Sequence, residues 1–115
     1  MSEQLDGVWQ PLYAELGGEE APKMMLTKME LELAGGKYTV RFGGVAADHG
    51  TFSVDETGLT LVGIAGPNAG RTILCIYKFI DGTLSVCYGL GGTRPLKHHT
   101  GKDPQLYLVN YARKE

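Results

Sequence analysis

The sequence predicts an all-β fold, an eight-stranded antiparallel up-and-down barrel with at most one short helical turn. Three observations carry that expectation. Apolar and polar residues alternate with period two in eight successive short segments, which is the pattern of half-buried strands. Glycine makes up 17 of 115 residues, about 15% against a usual 7%, and gathers at the joints between those segments as Gly17-Gly18, Gly35-Gly36, Gly43-Gly44 and Gly91-Gly92. The joints are also short, and strands linked by short connections pair antiparallel with their neighbours. An open sheet of eight strands would present two unpaired edges, and closing it removes them. A two-sheet sandwich is the alternative arrangement.

The elements follow in order. A first strand covers residues 7–16. The segment E-E-A-P-K-M-M-L (19–26) is the one place for a helical turn, with Pro22 suited to its start. M-E-L-E-L (29–33) and K-Y-T-V-R-F (37–42) alternate cleanly across the Gly35-Gly36 turn and point Tyr38, Val40 and Phe42 inward. H-G-T-F-S-V-D (49–55) offers Phe52 and Val54. G-L-T-L-V-G-I (58–64) offers Leu59 and Leu61, or Val62 and Ile64 in a slipped register. The stretch 72–89 is a hairpin about Asp81-Gly82, and Q-L-Y-L-V-N-Y (105–111) is the last strand.

The hairpin also decides the fate of the two cysteines. Centring the turn on Asp81-Gly82 sets Phe79 opposite Leu84, Tyr77 opposite Val86 and Lys78 opposite Ser85, so like meets like. Cys75 then faces Tyr88 and Cys87 faces Ile76, on opposite faces of the ribbon and beyond disulfide reach. A three-residue loop would bring the cysteines together but would pair Lys78 with Leu84. Free thiols are expected.

One domain fits the whole chain, residues 1–115, which at this size removes roughly 65% of its unfolded surface from water. A net charge of −2 and a pI near 5.9, with no basic run, argue against nucleic acid and anionic membrane as partners. The opening M-S-E-Q-L-D has neither a basic region nor an apolar one behind it, and no apolar run approaches the roughly 18 residues of a membrane span. A soluble cytoplasmic protein is expected.

No catalytic constellation emerges. G-I-A-G-P-N-A-G-R (63–71) is rich in glycine but lacks the Gly-Lys-Ser/Thr ending of a phosphate loop. Ser2, Ser53 and Ser85 stand on no Gly-x-Ser-x-Gly elbow, and Glu19-Glu20 reads as a solvated pair. His98 and His99, with Asp103 nearby and His49 on another segment, invite a metal reading. Adjacent histidines on extended chain point apart, however, and no further ligand stands at the required spacing, so solvated loop histidines and no metal or other cofactor are expected.

In order along the chain, L-D-G-V-W, D-H-G-T-F-S-V-D, G-P-N-A-G-R with I-Y-K-F, L-S-V-C-Y, T-R-P and the terminal Y-A-R resemble a planctomycete lipocalin-like domain family whose molecular function is not established. The resemblance spans nearly the whole chain and implies a small lipocalin-like barrel. Two departures stand out: His98 occupies about the place where the family carries an aromatic residue after Arg-Pro, and the turn in F-I-D-G-T is shifted. The resemblance further implies that Gly7 and Trp9 lie at the closed end of the barrel with Arg113 over the indole, the tryptophan acting as a stopper. The plainer reading is an ordinary core tryptophan with a solvated arginine.

The barrel interior is the remaining candidate for function, since eight strands leave room for packed side chains or for one small ligand. The expected inward set, Tyr38, Phe42, Phe52, Tyr77, Phe79 and Tyr88, is bulky and argues for a filled or narrow interior. Buried tyrosine hydroxyls nonetheless give such a cup polar contacts. Two functions follow. One is a binding barrel for an apolar or amphipathic small molecule, with Tyr38, Phe42, Tyr77 and Tyr88 as walls and Arg94 as an anchor at the mouth. The other is a solid-core domain that meets a protein partner through loops or sheet edges; the sequence names no such partner.

Overall fold

The structure, a computed structural model, describes residues 4–114. Its strands are β1 (Gly7–Leu16), β2 (Glu19–Glu20), β3 (Met29–Ala34), β4 (Lys37–Phe42), β5 (Val45–Asp55), β6 (Gly58–Ala65), β7 (Thr72–Ile80), β8 (Thr83–Gly89) and β9 (Leu106–Arg113), with one short helix, α1 (Lys23–Leu26). Each long strand pairs antiparallel with the next, and β1 pairs with β9 to close an eight-stranded up-and-down barrel. Only β2 stands outside the ring.

Three local differences from the sequence reading have physical causes. Gly17 and Gly18 both take positive φ and reverse the chain, so Glu19 and Glu20 pair back onto β1 and the helix begins only after Pro22. Gly43 and Gly44 do the same between β4 and β5, which sends the next strand off from Val45 rather than from residue 49. The last strand spans Leu106–Arg113 rather than 105–111, because its pairing with β1 continues to Trp9↔Arg113.

Pro11 sits at a bulge of β1, where the missing N–H costs no ladder bond. The strand bends there. It pairs with β3 only through Gly7, Val8 and Trp9 but with β9 from Trp9 to Leu16. The gap left on the β3 side is filled by α1, whose Leu26 is buried and whose Leu26 carbonyl accepts a bond from Gln10 Nε2 at 2.7 Å.

The 72–89 hairpin has the expected register, with Cys75↔Tyr88, Tyr77↔Val86 and Phe79↔Leu84, about a turn in which Asp81 and Gly82 both have positive φ. Both cysteines are free and buried, Cys75 inside the barrel and Cys87 outside beneath the 90–105 loop. On β6 it is Leu59 and Leu61 that face inward.

The turns at 35–36, 56–57 and 81–82 mark one end of the barrel, and this end is sealed. Trp9 is 1% exposed and donates its indole N–H to the Leu5 carbonyl at 2.8 Å. The Arg113 guanidinium lies over the ring, 4.3 Å from its centroid, and donates to the carbonyls of Asp6 and Gln4. A side chain at Gly7, where φ is +145°, would collide with that guanidinium. Phe79 stacks beside Trp9 and Tyr77 meets Phe79 edge-on, so three aromatic rings crowd one end.

Candidate functional site

Crowding at the sealed end leaves room at the other. A cavity of about 420 Å³ opens between the 43–44 turn, the 66–71 loop and the start of the 90–105 loop. Its walls are mostly apolar, from Leu31, Val40, Leu61, Ile73 and Val109, with Tyr38, Tyr88, Tyr107 and Tyr111 among them and Phe42 half out at the rim. The bulky inward residues therefore do not fill the barrel. Phe52, Tyr77 and Phe79 occupy the sealed end or its edge, while Phe42 and Phe79 turn partly to solvent.

Two polar groups stand in this wall. On one side Tyr38 runs along β5 over Gly50, where an added Cβ would stand 2.7 Å from its ring. This path brings the Tyr38 hydroxyl to Asp48, donating to Oδ2 at 3.3 Å. Asn68 Nδ2 donates to the same oxygen at 2.8 Å. Asp48 is 7% exposed, yet its other oxygen, Oδ1, has no hydrogen-bond partner. Burial and the neighbouring carboxylate push the Tyr38 phenol up to about 12, so it stays a protonated donor at neutral pH.

Deeper in the wall the hydroxyls of Tyr88 and Tyr111 lie 2.6 Å apart, with Tyr107 stacked on Tyr88. Burial raises the pKa of both hydroxyls. Two protonated phenols that share one hydrogen bond keep a second O–H free to donate elsewhere. Above them, at the mouth, Arg71 is exposed and donates to Asn68 Oδ1 at 3.4 Å and to the Leu90 carbonyl at 2.9 Å. A line of polar contacts thus runs from Tyr38 through Asp48 and Asn68 to Arg71.

Of the residues expected to bind ligand, Tyr38, Phe42 and Tyr88 line the cavity and are brought together there. Tyr77 is inward but packs at the sealed end. Arg94 is not at the mouth: from the 90–105 loop it reaches the edge of β6 and β7, donating to the carbonyls of Cys75 at 2.6 Å and Leu59 at 3.1 Å and to Thr60 Oγ1 at 3.0 Å. Three bonds to fixed acceptors make it a clamp for the loop. It also borders a shallower hollow of about 370 Å³ in that loop, with Lys97, His99 and Asp103.

His98 is not solvated as expected. It lies 2.7 Å from Ser85 Oγ, which donates to Asn110 Oδ1 at 2.6 Å. Since the serine hydrogen is given to Asn110, the His98 ring must be the donor to Oγ, the reverse of what a general base requires. The trio holds the loop to the outer face of the barrel. His99 accepts the Gly101 N–H, and His49 lies exposed on β5. Among the described residues no three His, Cys, Asp or Glu side chains gather to hold a metal, and no helix is long and apolar enough to cross a membrane. Ser2 lies outside the described residues.

Asp48, Asn68 and Arg71 were missed by sequence reasoning. Asp48 interrupts alternation in V-A-A-D, so the strand that aims it inward was not recognised there. A carboxylate four residues after a Gly-Gly turn and two before a glycine is the only signal the sequence offers. No protein-family model, curated protein or solved structure matches the chain.

Proposed function

We propose that this protein is a non-catalytic binding barrel that takes one small apolar or amphipathic molecule through its open end. The observation that carries the reading is the cavity: about 420 Å³, apolar along most of its wall, with a few buried polar groups. This exceeds the roughly 300 Å³ at which small-molecule sites begin, and the mixture of apolar wall and sparse polar contacts is what such sites use for affinity and orientation. A solid core, which the interaction-domain reading requires, is at odds with that volume. The resemblance to lipocalin-like domains supports the same reading.

Titration with 4-phenylbutanol, followed by methyl NMR, tests it. Saturable one-to-one shifts confined to Leu61, Ile73 and Val109 are expected, and Val109→Phe, which places a ring in the cavity, should abolish them while the domain still melts cooperatively. Shifts that never saturate, or that survive in Val109→Phe, would count against the barrel interior as the site.

A further inference from the structure

We infer that the cavity selects an uncharged ligand bearing a carbonyl oxygen on its apolar body, the carbonyl being received by the hydroxyl hydrogen that Tyr88 and Tyr111 leave unshared. The inference rests on the binding-barrel reading and names the class of its ligand.

The strand register fixes where the two hydroxyls meet. Tyr88 stands opposite Tyr107 near the open end, and Tyr111 stands opposite Leu84 toward the sealed one. Four residues of strand, about 13 Å, separate these two rungs. Hydroxyls 2.6 Å apart therefore require the two rings to lie head to head along the wall, meeting over the Val86↔Val109 rung between them. Wall lies beneath the pair and the barrel interior above it. Tyr88, Val109 and Tyr111 all border the cavity, so the cavity reaches the level at which the hydroxyls meet. Tyr111 comes up from the sealed half, and its hydroxyl is the part of it nearest the open end.

A count of hydrogens then leaves one over. Burial keeps both phenols protonated, so the pair carries two hydroxyl hydrogens. One makes the bond between them, and the other meets no acceptor among the described residues. Both side chains are more than nine-tenths buried, and a buried donor without a partner is costly. What this wall lacks is an acceptor. Tyr107, stacked on Tyr88, adds a further donor: its hydroxyl bonds no protein group. Asp48 Oδ1 is the one fully buried side-chain polar atom without a partner among the described residues, so the Tyr107 hydroxyl is open to solvent.

Charge and hydrogen bonding together narrow the class. A carbonyl accepts and brings no hydrogen of its own, which suits a cavity whose other acceptors are engaged, Asp48 Oδ2 by Tyr38 and Asn68 and Asn68 Oδ1 by Arg71. A protonated amine has no lone pair to offer the phenols. A carboxylate could accept, but it would be buried with only neutral donors beside it, since Arg71 is exposed at the mouth and Asp48 stands in the same cavity wall.

Three probes of similar shape test this on the full chain at neutral pH: 4-phenylbutan-2-one, butylbenzene and 3-phenylpropionate, each titrated by methyl NMR. The ketone should bind one-to-one, about tenfold or more tightly than the carboxylate, and its carbonyl stretch in the infrared should lie at lower frequency than in hexane. Replacing both phenols together, Tyr88→Phe with Tyr111→Phe, keeps the rings and leaves neither hydroxyl orphaned. In that variant the ketone should lose about fivefold and its stretch should rise toward the hexane value, while butylbenzene keeps its affinity. A stretch at the hexane value in the natural chain, equal changes for ketone and hydrocarbon in the variant, or a carboxylate that binds in the cavity as tightly as the ketone would each defeat the carbonyl assignment and leave the binding barrel standing. If no probe moves the cavity methyls, both readings fall. Should the double variant not fold, nuclear Overhauser contacts in the natural chain decide instead: the ketone methyl should lie against the Tyr88 and Tyr111 ring protons, and a bound ketone without those contacts overturns the assignment.

Discussion

Removing Trp9 and Arg113, singly and together, measures how the sealed end is held. Trp9 is 1% exposed, and deleting a buried aromatic side chain costs about 3 to 5 kcal/mol, including the cavity left behind. The Leu5 carbonyl also loses its donor, adding up to about 1 kcal/mol if water does not reach it. Arg113 is exposed, so its guanidinium, 4.3 Å from the ring centroid, contributes at the lower end of cation–π values, about 0.5 to 1 kcal/mol. Its bonds to Asp6 and Gln4 add about 0.5 kcal/mol each in that wet setting. Arg113→Ala should therefore cost about 1.5 to 2 kcal/mol, and the part that depends on the ring should vanish when Trp9 is already gone. We expect a coupling energy of about 0.5 to 1 kcal/mol from a double-mutant cycle in urea. Circular dichroism is the probe, since fluorescence disappears with Trp9, and Trp9→Phe replaces the alanine variant if that does not fold. A coupling indistinguishable from zero, or native Trp9 emission typical of an indole in water, would refute the stopper reading.

Three further outcomes follow from named contacts. Gly50→Ala places a methyl 2.7 Å from the Tyr38 ring and against the Val62 carbonyl, so it should cost about 3 kcal/mol by overpacking; a urea midpoint near that of the natural chain would contradict this. In alkylation followed by mass spectrometry both thiols should be found reduced. Cys87, covered only by the 90–105 loop, should react before Cys75, whose burial in the barrel pushes its pKa up to about 12, and equal rates would argue against separate coverings. Glu15 accepts bonds from Thr100 and Tyr13, in that order of weight, which lower its pKa below the ordinary 4.5. A depressed carboxyl stabilises the fold fully above its unfolded value and loses that contribution as pH falls through the folded one. Melting temperature should therefore drop less steeply below pH 4.5 in Glu15→Gln than in the natural chain, with parallel curves refuting the link.

Legibility in the sequence tracked how local the cause was. The 72–89 register could be read residue by residue, because the Asp81-Gly82 turn and like-with-like pairing act within one hairpin. Val45 to Asp48 could not, since a polar residue aimed at a cavity breaks the very alternation by which strands are found. Arg94 and His98 were misread for a different reason. Their partners, Leu59, Cys75 and Ser85, come from strands that reach them only once the 90–105 loop has folded back over the barrel. The cavity itself depends on where bulk is placed: six large inward residues predicted a filled or narrow interior, but Tyr77 and Phe79 crowd the Trp9 end while Tyr38, Phe42 and Tyr88 stand in the wall of the open end and leave its centre empty.

The seam between β1 and β9 has a consequence for how the chain reaches its fold. Trp9↔Arg113 and Leu16↔Tyr107 pair segments from opposite ends of the sequence, whereas the hairpins from β3 to β8 are all local. During synthesis those hairpins can form as they emerge, but β1 and β8 remain open edges until the last strand arrives. The final pairing closes a loop of nearly the whole chain, whose entropy cost must be met before its contacts form, a pattern that places folding in the millisecond-to-second range. The interval before closure is when the molecule is most exposed to pairing with a neighbour. The seam thus sets both the pace of folding and the period of risk.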